Sequence, residues 1–141
     1  MSYEIPDFFV GVFPADIDMS AQPTAGQDPT YQYTGVSVYT AISASGTGVG
    51  GAAIIPPGST SSPIIGVLQN NPQQGEAGTV MVQGVTKAVA GGAFQIGDSL
   101  MCTAAGKFVK ATSTNYQVAI ALETAANNDV TTILLQRNGK L

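Results

Sequence analysis

Few residues in this chain can do chemistry, and their spacing limits what they can do. Histidine is absent. That removes a Ser/His/Asp triad and any imidazole-bearing metal site. The single cysteine, Cys102, has no partner for an internal disulfide and no imidazole to activate it. Within the apolar run 100–103 it is expected to pack as a small hydrophobe. A carboxylate pair is the remaining route to acid–base work. Asp98 and Glu123 are the loosest candidates, and Asp98 directly follows Gly97, the position of a turn acid. Asp16-x-Asp18 could touch a cation, yet it lacks the further acids, the glycine and the terminal glutamate of a calcium loop. Gly46, Gly48 and Gly51 match G-x-G-x-x-G on paper. They lead into Ala52-Ala53-Ile54-Ile55 and Pro56-Pro57, so no helix N-terminus is offered to a pyrophosphate. Residues 68–71 carry no acid where a ribose would need one. The expectation is a chain that is not an enzyme, with no cofactor and no metal.

The elements that would position such residues are short strands. From residue 64 to 111, apolar runs alternate with turn residues, and none is long enough for a helix. Residues 64–68 are apolar. Asn70-Asn71-Pro72 and Gln73-Gln74-Gly75 then break the chain. Residues 79–85 resume as a strand, with Val80 and Val82 on one face and Met81 and Gln83 on the other. Gly91-Gly92 and Gly97-Asp98 bracket Phe94 and Ile96. Ala104-Ala105-Gly106 separates 100–103 from 107–111 at hairpin spacing. Residues 118–122 and 131–136 are further strands, and Glu123 to Asn128 is expected to make one helical turn. Residues 35–43 form an earlier strand. Residues 64–83 and 118–136 echo each other faintly: strand, Asn-bearing turn, strand ending in Gln.

Residues 1–33 read as an extended arm, with Pro6, Pro14, Pro23 and Pro29 excluding a long helix. The aromatic run FFVGVF must bury Phe8, Phe9 and Phe13, either in the chain's own core or against a neighbour. At 141 residues the remainder, 34–141, fits one β domain. Only 10% of residues are charged, which suits a protein packed against other proteins. Residues 1–28 hold Glu4, Asp7, Asp16, Asp18 and Asp28 and no base, while no charge occurs between Pro29 and Gly75. The acidic balance makes no stripe for nucleic acid. No apolar run approaches a membrane span, and residues 1–6 lack the features of a signal peptide, so synthesis in a cytoplasm is expected.

Several motifs carry a resemblance. Gly66-Val67-Leu68-Gln69-Asn70, Gly75-Glu76-Ala77, Val80-Met81-Val82-Gln83-Gly84-Val85, Gly97-Asp98, Ala105-Gly106-Lys107 and Val118-Ala119-Ile120-Ala121-Leu122-Glu123 resemble the capsid decoration (cement) proteins of tailed bacteriophages. The resemblance covers residues 64 to 136. It implies an all-β fold, a compact β-sandwich or β-barrel (β-tulip-like) with little or no helix. It also implies a structural virion protein, made in the host cytoplasm. Such a protein sits on the outer capsid surface between major capsid proteins, often as a homotrimer, and stabilises the head against internal DNA pressure. On that reading Phe8, Phe9, Phe13, Tyr31, Tyr33, Val49, Ile54 and Ile55 are the candidate contacts to capsid or sister subunit, with no nucleic acid and no membrane as partner. Two alternatives are another virion β module, such as a head-fibre base or tail component, and a carbohydrate- or small-ligand-binding β domain.

Overall fold

The computed structural model describes residues 9–17, 19–20, 31–40 and 52–140. Phe8 and Val49, the loop at 46–51 and Asp18 lie outside the described residues. The protein is all-β, with no helix among the described residues. Nine strands follow one another: β1 (Phe9–Pro14), β2 (Gly35–Thr40), β3 (Ala52–Ile55), β4 (Gly66–Leu68), β5 (Ala77–Val89), β6 (Ser99–Cys102), β7 (Phe108–Lys110), β8 (Tyr116–Ala121) and β9 (Val130–Lys140). One sheet holds them in the order β3-β2-β4-β5-β9-β8-β6-β7, with β1 also paired to β5.

That order is a duplicated unit. The path 3-2-4-5 matches 7-6-8-9 strand for strand, each pairing antiparallel. The registers match as well. Val67 faces Met81 and Leu68 faces Val80; 53 residues on, Ile120 faces Leu134 and Ala121 faces Ile133. β1 pairs with residues 77–83 of β5 as residues 84–89 of β5 pair with β9. Each half then curls until its last hairpin meets its first strand. A single parallel bridge, Ala15 to Ile54 in one half and Ala90 to Phe108 in the other, joins the ends. β5 therefore belongs to both halves. It passes from one to the other at Gly84, whose φ of 114° is a bend few other residues tolerate.

The backbone specials repeat too. Tyr33, Ser61 and Gly75 have positive φ, and so do their counterparts Gly97, Thr114 and Asn128. One turn design recurs, in which the third residue is left-handed and the fourth caps the first. In Gln73-Gln74-Gly75-Glu76, Gln95-Ile96-Gly97-Asp98 and Ala126-Asn127-Asn128-Asp129, the fourth residue's carboxylate accepts the first residue's N–H, at 2.9 Å in each case. Its own N–H returns to the first carbonyl at 3.0, 3.0 and 3.2 Å. The expected helical turn at 123–128 is therefore corrected. Asn128 sits at φ 69°, Asp129 caps Ala126, and Ala125 bridges Phe94, which leaves no run of helical hydrogen bonds.

Each half has its own core, and the cores correspond. Ala15, Met19, Val36, Ile54, Leu68 and Val80 fill the first; Ala90, Phe94, Leu100, Phe108, Ala121 and Ile133 occupy the same places in the second. The second core also takes in Ile64, Val67 and Met81 from the first half. Burying each of these side chains is worth about 1.5–3 kcal/mol, enough to dock the halves firmly. Backbone bonds reinforce the docking: Gly35 N–H to the Gly106 carbonyl at 2.7 Å, Ser61 N–H to Cys102 at 2.9 Å and Val89 N–H to Tyr33 at 2.9 Å.

β1 is the main departure from the expected arm. Residues 9–17 and 19–20 are woven into the first half: β1 pairs along β5, and Ala15 and Met19 are fully buried. The strand forms because Val10 and Val12 alternate with Gly11 and Phe13 before Pro14 ends the run.

The docking contact at Gly106 gives a direct test. Its φ is +83°, and a β-carbon there would lie 2.5 Å from the Gly35 carbonyl oxygen. Gly106→Ala is expected to cost about 2–3 kcal/mol in urea unfolding. Gly75→Ala, at φ +82° with open space around it, should cost about 1 kcal/mol.

Candidate functional site

The residues that could have done chemistry are held in structural roles. Asp98 Oδ2 accepts the Gln95 N–H and Oδ1 meets Lys110 Nζ at 2.8 Å. The Lys110 hydrogen bond, then the Gln95 N–H, holds its carboxyl below the usual range. Glu123 Oε2 accepts the Thr132 N–H at 2.9 Å. Its counterpart 53 residues earlier, Asn70, makes the same bond to the Thr79 N–H. Cys102 is fully buried between the halves, with its sulfur beside Gly35. Burial pushes its thiol up from 9.0 to about 12, against small opposing effects from the Gly35 and Thr103 N–H groups. Among the described residues no cluster of His, Cys, Asp or Glu could hold a metal ion. A cavity of about 10 Å³ lies where the halves meet, lined by Ile64, Ile65, Gly66, Val82, Val118, Leu135 and Gln136. That is room for about one water.

The predicted contact residues divide by where they sit. Ile54 is fully buried in the first core, and Tyr31 joins the same core. The parallel bridge to Ala15 draws Ile54 and β3 inward, and Tyr31 is held beside buried Met19 by a backbone bond to its carbonyl. Phe13 is half-buried against that core, and Ile55 is half-buried at the end of β3. Tyr33 packs on the second core, with Lys87 Nζ 5.9 Å above its ring centroid, so it belongs to the contact between halves. The backbone of Phe9 pairs with Gln83. The polar loop at 56–63 is tied to the second half through Gly58, Ser61 and Tyr116, leaving residues 58–60 exposed.

The structure shows instead an exposed apolar group on the sheet itself. Val10 is 43% exposed, Val12 65% and Val85 52%. Val10 lies across from Met81, and Val85 across from Leu134, which are counterparts in the two halves. Gln83 and Gln136, also counterparts, are exposed beside them. The sequence carried a hint: residues 81, 83, 85 and 87 share one face of a strand, and Val85 and Met81 interrupt its polarity.

The family model for phage cement proteins matches residues 34–137. The chain belongs to that family. This makes it a phage structural protein associated with the capsid. The match begins after β1, although β1 completes the first half. A solved structure similar to the chain is the N base of head fibre gp8.5 in bacteriophage phi29. The TM-score is 0.64 over 94% of this chain and 98% of that one, at 16% identity, a level at which likeness shows the fold alone. No curated protein matches the sequence.

Two outcomes are expected of the buried residues. Ile54→Ala should cost about 2–5 kcal/mol of stability, read from thermal or denaturant unfolding. The Cys102 thiol should ignore Ellman's reagent at pH 8 until denaturant is added. Its raised value favours the folded state fully below pH 9. That contribution is lost as pH climbs from 9 to about 12, so unfolding should become easier across that range.

Proposed function

We propose that this cement-family chain binds the outside of the expanded phage head, between major capsid proteins, and stabilises it against the pressure of packaged DNA. The family match over residues 34–137 carries this reading. The chemistry agrees with it. The described acids at 76, 98, 123 and 129 cap turns or receive backbone N–H groups, which leaves a stiff scaffold with little free charge. Such a surface makes dry, close-packed contacts at little desolvation cost. A standard patch buries about 800 Å² per partner. A ligand that binds the assembled shell and not its separated subunits stabilises the shell by mass action. We assign a homo-oligomer, with the trimer preferred, which would multiply weak patches through effective concentration. Of the candidate contacts, Ile55 at the end of β3 and half-buried Phe13 are described and partly accessible, and Phe8 and Val49 lie outside the described residues.

The likeness to the phi29 head-fibre base favours one second reading, that the chain is the base of a projecting fibre. A particle image would separate the two: a fibre base carries a projection, whereas cement lies flat on the shell.

DNA-filled heads lacking this protein should lose their DNA at a lower temperature, and adding the purified protein back should restore the higher one. Heads equally durable with and without it would overturn the proposal. Light scattering should report three times the chain mass; a monomer both free and on the head would remove the trimer.

A further inference from the structure

The duplication has a geometric consequence. β5 and β9 pair antiparallel with Gly84 opposite Leu135. Just before it, Gln83 pairs with Phe9 of β1, and Phe9 and Gly84 are counterparts in the repeat. The repeat thus sends β1 onto the late part of β5 and the early part of β5 onto β9, and each of these strands runs antiparallel to the one it is sent onto. Strand direction is reversed in both cases, so the two halves are related by an approximate two-fold near Gly84.

The exposed apolar group lies around that axis. Val10 on β1 and Val85 on β5 are counterparts, and both are exposed. Thr79 and Thr132, also counterparts, lie across from Val12 and Lys87. Val12 stands against Lys87, Met81 against Leu134 and Ala77 against Val130, and Lys87 is the one charge of this face among the described side chains. The chain thus shows a related surface twice, with Val10 and Gln83 in the first half repeated as Val85 and Gln136 in the second. A two-fold face is self-consistent only with a partner that also repeats by a two-fold. Shells are built from many copies of one subunit and supply such pairs.

We propose that this chain is bivalent: its two halves take the same surface of two identical shell subunits that meet at a local two-fold axis, using Val10 with Gln83 in the first half and Val85 with Gln136 in the second. The inference rests on the proposed shell binding. It adds the stoichiometry and the symmetry of the partner. Each half alone binds weakly; the second contact forms at high effective concentration.

The test uses full-length protein on DNA-filled heads. Val10→Asp and Val85→Asp change exposed positions, and circular dichroism checks that both fold. Each should weaken binding by a similar factor, on the order of 10²-fold, and the double variant should not bind. Saturation of the wild type should give two shell subunits engaged per chain. In a separate measurement, Val10→Cys and Val85→Cys each carry a photo-crosslinker, with buried Cys102 unreactive. Both should attach to the same peptide of the shell subunit. Different peptides from the two positions, or one aspartate variant that binds like wild type, would overturn bivalency while leaving shell binding intact. Wild-type protein that does not bind heads would remove both.

Discussion

β5 is the constraint from which the rest follows. One continuous strand of 13 residues closes the first ring with its early part and opens the second with its late part. Neither half can shift along the other without breaking its own pairing. A strand shared in this way must satisfy two opposite demands at its middle: it must stay in the sheet and change partner. Gly84 meets both by bending without leaving the strand. Ile64, Val67 and Met81 then fill the second core from the first half, so the joint is packed as well as bonded. Stiffness here is a property of connectivity.

The small number of charges has the same root. A fold of nine short strands needs many tight turns, and each turn leaves an N–H that wants an acceptor. The chain places Glu76, Asp98 and Asp129 at those sites, with Asn70 and Glu123 bracing the strands that follow. Acids committed in this way are not free to polarise a substrate or hold a cation.

The sequence made the strands legible because their alternation is strong between residues 64 and 136. Gly97-Asp98 also announced its turn correctly, since a left-handed residue followed by an acid has one common use. The ends of strands were harder. Residues 86–89 continue β5 because Gly84 bends the strand where a glycine more often ends it. Residues 123–128 read as one helical turn because helix propensity takes no account of an asparagine in the left-handed region, the conformation of Asn128. The aromatic start misled for a different reason. Composition shows that Phe13 needs burial, but only long-range pairing shows that residues 77–83 supply it. The faint echo of 64–83 in 118–136 was the one trace of the duplication. The rest of the repeat is invisible to sequence because counterparts such as Ile54 and Phe108, or Leu68 and Ala121, share a burial requirement and not a residue type.

That same tolerance explains how a duplicated chain can keep its symmetry where it matters. Inside the rings, a smaller residue in one core position is compensated by larger neighbours, as Ala121 is beside Phe94 and Phe108 where the first half has Leu68 beside Met19 and Ile54. Individual side chains drift while each position stays apolar. Turns and registers cannot drift, because a one-residue slip would turn every buried side chain outward. Side-chain identity follows neither layer strictly: Gln83 and Gln136, Val10 and Val85, and the core pair Ala15 and Ala90 are identical, while Val12 stands against Lys87 and Leu68 against Ala121. Divergence has run through core and surface alike, and what the two halves hold in common is the register of their strands and the geometry of their turns.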